Sequence, residues 1–354
     1  SPIGHSRHNK NEGVTMTRLG ETRSLVWAHG VVSVESLGGM IGPTLFVLPD
    51  GRQVAPFQVA PWANEVGGEA LPGILKRLRG EWPCVPFGVD GDRPARGDWP
   101  GSTASPTVDT DPHGFSSNHE WQFETGADGG IALSIAYPEG HPIKALHRRV
   151  TPDPQTTALD FELVIEVRSD CTLPLGLHPS FRLPSKVGAM HIEVGDEITG
   201  ATFPGPVDDS SIFAQGRFQT PWREVALKDG ARLDVSTVPL PQATEEILQL
   251  LDMPGTASLW NSAEGYRVRL SWNKEHYPSA LLWMSNRGRQ MAPWNGRHLA
   301  LGFEPICSAF DLGPQISVAD NPISRRGTKT ARRFSAGERF ITRYRIAVEA
   351  ADLV

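Results

Sequence analysis

Two short stretches far apart in the chain are built alike. From Thr172 to Phe181, Leu173, Leu175 and Leu177 alternate with Pro174, Gly176 and His178. From His298 to Cys307, Leu299, Leu301 and Phe303 alternate with Ala300, Gly302 and Glu304. Successive side chains of a β-strand point to opposite faces, so each stretch buries one face and turns a single ionisable group to the other. A glycine one side-chain step before that group removes bulk where a ligand would rest. Pro179 and Pro305 follow immediately and are expected to end ladder donation at a site rim. An imidazole and a carboxylate on adjacent open sheet faces supply one general acid, His178, and one general base, Glu304. The bland reading makes Gly a bulge marker, His178 a satisfied rim histidine and Glu304 a solvated edge charge; the repetition of the pattern favours the chemical one.

The elements that must position these groups read as antiparallel sheet. Asp50-Gly51, Asp128-Gly129, Asp229-Gly230 and Glu264-Gly265 are dipeptides that tight hairpins prefer. Period-2 alternation runs through Leu159, Phe161, Leu163, Ile165 and Val167, through Tyr266, Val268, Leu270 and Trp272, and through Phe340, Thr342, Tyr344, Ile346 and Val348. Helical signals are few. Leu71, Ile74, Leu75 and Leu78 fit a short amphipathic turn, and the stretch TEEILQLL from Thr244 is expected to be another helix. The opening residues 1–20 are polar and aperiodic and are expected to form a flexible leader, followed by one large β-domain over 21–354 with no linker or repeat.

Composition narrows the function. With 39% hydrophobic residues, 21% charged, 36 Gly and 30 Pro, the 354-residue chain has the apolar content of a turn-rich globular enzyme, which excludes disorder. A formal net charge of −6 offers no broad basic field for nucleic acid. Apolar runs fall short of a membrane helix, and residues 1–13 lack the apolar core expected of a signal peptide. Cys84, Cys171 and Cys307 are scattered and never in CxxC spacing, and no Asn-x-Ser/Thr sequon occurs, which points to a reducing cytoplasm.

On this background four motifs occur in order: Arg79 to Gly88 (RGEWPCVPFG), His113 to Trp121 (HGFSSNHEW), Leu177 to Phe181 (LHPSF) and Phe303-Glu304-Pro305. With them the chain resembles the aldose 1-epimerase (galactose mutarotase-like) superfamily over roughly residues 25 to 348. The first two motifs are most similar to the hexose-6-phosphate epimerase branch, which has a second glycine where Glu81 stands here and an arginine where Ser117 stands. The resemblance implies an all-β, β-supersandwich fold with a few short helices, whose concave sheet binds a sugar. It implies Glu304 as base, His178 as acid and His113 as a second imidazole at the reducing end. Arg79 would hold sugar oxygens, or a phosphate, through its planar donor fork. Loss of the branch arginine at Ser117 favours a neutral hexose, although Arg77, Arg96, Arg148 or Arg149 could replace it in space. The family's further sugar-contacting carboxylate has Asp252 as a candidate by position alone. The implied activity is anomer interconversion without cofactor or metal, by a monomer or homodimer acting on a small-molecule sugar. The alternatives are a glucose-6-phosphate 1-epimerase-like enzyme and a non-catalytic carbohydrate-binding module.

The remaining signals are weaker. Among Trp82, Phe87, Trp121, Trp283 and Trp294, which could stack on a pyranose, Trp121 and Trp283 are favoured for the site. His113, His119 and Glu120 lack HExxH spacing, and Asp90-Gly91-Asp92 and Asp109-Thr110-Asp111 lack the rest of a calcium loop, so no metal is expected. GxGxxG, GxxxxGK[ST] and GxSxG are all missing, which leaves dinucleotide, P-loop and serine-hydrolase readings unsupported.

Overall fold

A computed structural model describes residues 20–354 apart from 92, 102–108 and 127. The expected leader, up to residue 19, and Asp92 of the first calcium-like fragment lie outside the described residues. Every strand pair in the sheets is antiparallel. The larger sheet has nine strands in the order Thr237–Val238, Met190–Glu193, Thr256–Asn261, Tyr266–Trp272, Arg339–Ala350, Ala158–Val167, Ile143–Pro152, Ile131–Ala136 and Gln122–Phe123. The three strands with clear alternation in sequence are adjacent at its centre, Tyr266 to Trp272 pairing with Arg339–Ala350, which pairs in turn with Ala158–Val167.

The second sheet runs Phe218–Gln219, Gly200–Thr202, Thr244–Leu250, Ser279–Asn286, Leu299–Cys307, Leu175–Leu177 and Pro83–Cys84, with Ser180–Arg182 also paired to Leu299–Cys307. A smaller four-stranded sheet, Thr22–Trp27, Gly30–Glu35, Leu45–Val47 and Gln53–Val54, packs against the core through Val32, Val34 and Phe46. All four expected Gly turns link neighbouring strands, with positive φ at Gly51, Gly129, Gly230 and Gly265, the conformation glycine adopts without a Cβ clash.

The second sheet buries both faces. Leu248, Leu250, Leu282, Met284, Leu301 and Phe303 meet Leu163, Ile165, Leu270 and Ile346 of the larger sheet in the main core. On the opposite face Ile247, Leu281, Trp283 and Ile306 join a separate cluster with Trp82, Phe87 and Trp294 under the turn Gly73–Lys76. This double burial corrects the reading of TEEILQLL as a helix. Thr244–Leu250 is a strand buried at every position, and a strand covered on both sides shows a continuous run instead of alternation. The Leu71 to Leu78 stretch does contain the expected short helix. No helix among the described residues is long and apolar enough to cross a membrane.

Candidate active site

His178 stands where one strand line is interrupted. Leu175–Leu177 pairs with the end of Leu299–Cys307, the chain steps out at His178-Pro179, and Ser180–Arg182 resumes pairing with the same strand at Gly302, Leu301 and Ala300. The His178 N–H donates to Trp82 O at 2.9 Å and the Phe303 N–H to Pro179 O at 3.0 Å, so the step is held on both sides. Glu304 lies opposite it, mid-strand and paired with Leu281. The strand continues through Pro305 to Cys307, contrary to the expectation that Pro305 ends it. Pro305 has no N–H to offer, and the interruption at His178-Pro179 is where a donor would find no ladder partner.

The two groups meet. His178 Nε2 is 3.0 Å from Glu304 Oε1, and both side chains are buried. They touch, where the strand pattern had suggested facing groups on adjacent open faces. Trp82 covers one face of the imidazole, with ring centroids 4.1 Å apart and planes 11° from parallel. Trp283 and His113 present edges to it at 5.6 and 5.1 Å. His113 adopts φ 58°, and its Nδ1 accepts the Gly88 N–H at 3.0 Å, which leaves Nε2 as the proton-bearing nitrogen of the neutral ring. Ser117 Oγ donates to His113 O at 2.6 Å, so the residue at the branch arginine's position braces this loop from a buried site.

His178, Glu304, His113, Trp82 and Trp283 line one hollow of about 180 Å³. Its wall also carries Ile74, Leu78, Trp294, Arg93, Arg289 and Asp311. The paired glycines serve the protein rather than a ligand. A Cβ on Gly176 would lie 2.2 Å from the Phe87 ring, and one on Gly302 would lie 2.6 Å from a Glu304 carboxylate oxygen.

The arrangement of sheets recurs in known structures. A candidate aldose 1-epimerase from Escherichia coli K12 is 16% identical with TM-score 0.62, the match covering 93% of this chain and 99% of that one. A galactose mutarotase related enzyme from Lactobacillus acidophilus is 13% identical with TM-score 0.57, covering 94% and 98%. An aldose epimerase homologue from C. elegans is 13% identical with TM-score 0.59, covering 94% and 100%. The chain has the galactose mutarotase-like fold. No family model and no curated protein matches it. Identities this low establish the fold, and function must be argued from the site.

Within the mutarotase-like fold, His178, Glu304, His113 and Trp283 come together at the hollow, and two other expected site residues do not. Arg79 is buried away from the hollow's wall, its Nε donating to Arg77 O at 2.8 Å and its Nη1 lying 3.4 Å from Glu35 Oε1. Trp121 is in the main core, its Nε1 donating to Ser116 O at 2.9 Å. Both belong to motifs with members in the hollow's wall, but Arg79 turns to Glu35 and Trp121 packs into the main core.

Of the arginines considered as replacements, Arg77 pairs with Glu35, Arg148 is buried against Glu81, and Arg149 donates to Asp128 O. Arg96 is not in the hollow's wall. Arg93 and Arg289 are, and sequence reasoning missed them because neither lies in a motif. Asp252 receives the Thr328 hydroxyl at 2.9 Å outside the wall. The second carboxylate in the wall, beside Glu304, is Asp311, ion-paired with Arg93. Its signal was its place in the loop directly after the Glu304 strand. His119 lies against Asp111 at 3.0 Å, and no group of three metal-ligating side chains occurs among the described residues.

Burial sets the proton affinities. It pushes His178 well below the ordinary imidazole range, with His113 adding to the effect, and Glu304 well above the carboxylate range, with Asp311 adding to it. His113 is pushed down to about 4, again by burial first. Each buried group resists charge on its own. A neutral carboxylic acid with neutral imidazole and a carboxylate with imidazolium hold the same number of protons, so the contact is a one-proton unit whose proton sits on either partner.

Proposed function

We propose that the protein is an aldose 1-epimerase that interconverts the anomers of a hexose. The observation that carries this reading is the His178–Glu304 contact at the base of an aromatic-walled hollow. In the imidazolium–carboxylate form of the pair, Glu304 takes the proton from the anomeric hydroxyl as the C1–O5 bond breaks, and His178 gives its proton to the ring oxygen. The open aldehyde turns about C1–C2 and closes on its other face as both protons return. Atoms and electrons balance within the sugar and these two side chains. Trp283 and Trp294 offer flat apolar faces to the pyranose, and Asp311 offers a carboxylate to its hydroxyls. Polarimetry or NMR exchange on freshly dissolved α-glucose and α-galactose tests the reading: accelerated equilibration, abolished in Glu304→Gln, is expected, and no acceleration with either sugar counts against it.

Arg93 and Arg289 in the wall favour a second reading, a sugar bearing phosphate. Comparing glucose with glucose 6-phosphate separates the two, and calorimetric binding without turnover would favour a binding module.

A further inference from the structure

Behind the hollow lies a buried polar chain centred on Glu245, which is wholly buried and faces Ser285 across the strand ladder. The Trp283 indole Nε1 donates to Glu245 Oε1 at 2.5 Å, Ser285 Oγ donates to Oε2 at 3.0 Å, and Arg289 Nε lies 3.6 Å from Oε1. An indole N–H can only donate, and a hydroxyl has one proton. With the serine proton given to Glu245, His298 donates from Nδ1 to Ser285 Oγ across 2.8 Å. Burial pushes the Glu245 carboxyl above the ordinary carboxylate range, whereas the Arg289 charge and the donors from Trp283 and Ser285 on its two oxygens oppose that push and favour the ionised form. Glu245 is not in the hollow's wall, yet Trp283 and Arg289 are. The His298 ring packs on Trp283 at 5.4 Å, and the Arg289 guanidinium lies over Trp294 at 4.6 Å.

We propose that Glu245 is a positioning residue that makes the site select neutral over anionic sugars, by neutralising Arg289 and fixing the plane of Trp283. Each guanidinium in the wall has its own carboxylate, Arg93 with Asp311 and Arg289 with Glu245. A paired guanidinium still donates hydrogen bonds to hydroxyls but presents little net field to an anion. The sequence hides this device, because Glu245 stands in the stretch that reads as a helix.

The inference rests on the sugar-site reading, so its test has an arm that needs no turnover. Glu245→Gln keeps an oxygen for the indole and removes the charge, whereas Glu245→Asp keeps the charge and draws it back from Trp283. Ratios of kcat/KM for glucose against glucose 6-phosphate, and calorimetric titration of inorganic phosphate, are measured on wild type and both variants, with folding checked by circular dichroism. Glu245→Gln is expected to move selectivity toward the phosphorylated sugar and tighten phosphate binding roughly tenfold. Glu245→Asp should keep the wild-type ratio while raising KM for glucose. Tighter phosphate binding in Glu245→Gln supports the inference even where wild type turns over neither sugar, an outcome that would defeat only the epimerase reading. An unchanged ratio together with unchanged phosphate affinity would overturn it, as would failure of both variants to fold, which would make Glu245 a folding residue.

Discussion

Trp82 lies flat on His178, with its indole 4.1 Å from the imidazole, and this contact shields a ring that must gain and lose a proton. Water cannot reach that face, and His113 and Trp283 close two edges. The imidazolium is disfavoured, so the second proton on the His178–Glu304 pair binds only well below the ordinary ~6.5 of histidine. The acid limb of kcat/KM for anomer exchange should therefore fall below that value. Because Glu304 is raised, the loss of the pair's single proton should come well above the usual carboxylate range. Trp82→Ala admits water and should move the acid limb upward, toward ~6.5. A pH–rate profile with the limb at the same place in both proteins would contradict this account.

The paired groups act as one device, which sets how their substitutions combine. Glu304→Gln and His178→Asn should each lower kcat by roughly 10²–10⁴-fold. The double variant should be about as slow as the worse single one, since either loss already disables the proton exchange. Steady-state kinetics that gave multiplicative losses would show independent roles.

Gly176 and Gly302 separate stability from catalysis. In Gly176→Ala the new methyl would meet the Phe87 ring, which rests on His113 at 4.6 Å. We expect a loss of about 1–3 kcal/mol in urea unfolding from overpacking. Gly302→Ala would instead press on the Glu304 carboxylate, and kcat should drop more than stability. The reverse order would refute the assignment.

The buried arginines provide the complementary control. Arg148 is ion-paired with Glu81, which also receives the Tyr344 hydroxyl at 2.5 Å. Arg148→Met should cost about 3–5 kcal/mol by stranding a buried carboxylate. Arg79→Met leaves Glu35 its Arg77 partner at 3.0 Å and should cost less, about 1–3 kcal/mol. Arg79→Met should also leave the sugar KM unchanged. A raised KM without a stability loss would return Arg79 to the site.

The alternation around Leu163, Val268 and Ile346, and the Gly turns between hairpins, made the antiparallel sheet legible from the chain alone, because one-sided burial leaves a local imprint of period two. The same local rule singled out His178 and Glu304 as the ionisable groups of otherwise apolar stretches, although both side chains are buried. It failed for Thr244–Leu250, where burial on both faces erases the period, while Arg79 and Trp121, expected at the site from their motifs, turn their side chains inward. The direct His178–Glu304 contact, the role of Gly176 in seating Phe87, the placement of Arg93 and Asp311, and the support of Trp283 by Glu245 were decided by tertiary structure alone. Each depends on how distant segments stack across a sheet, and no spacing along the chain encodes that distance.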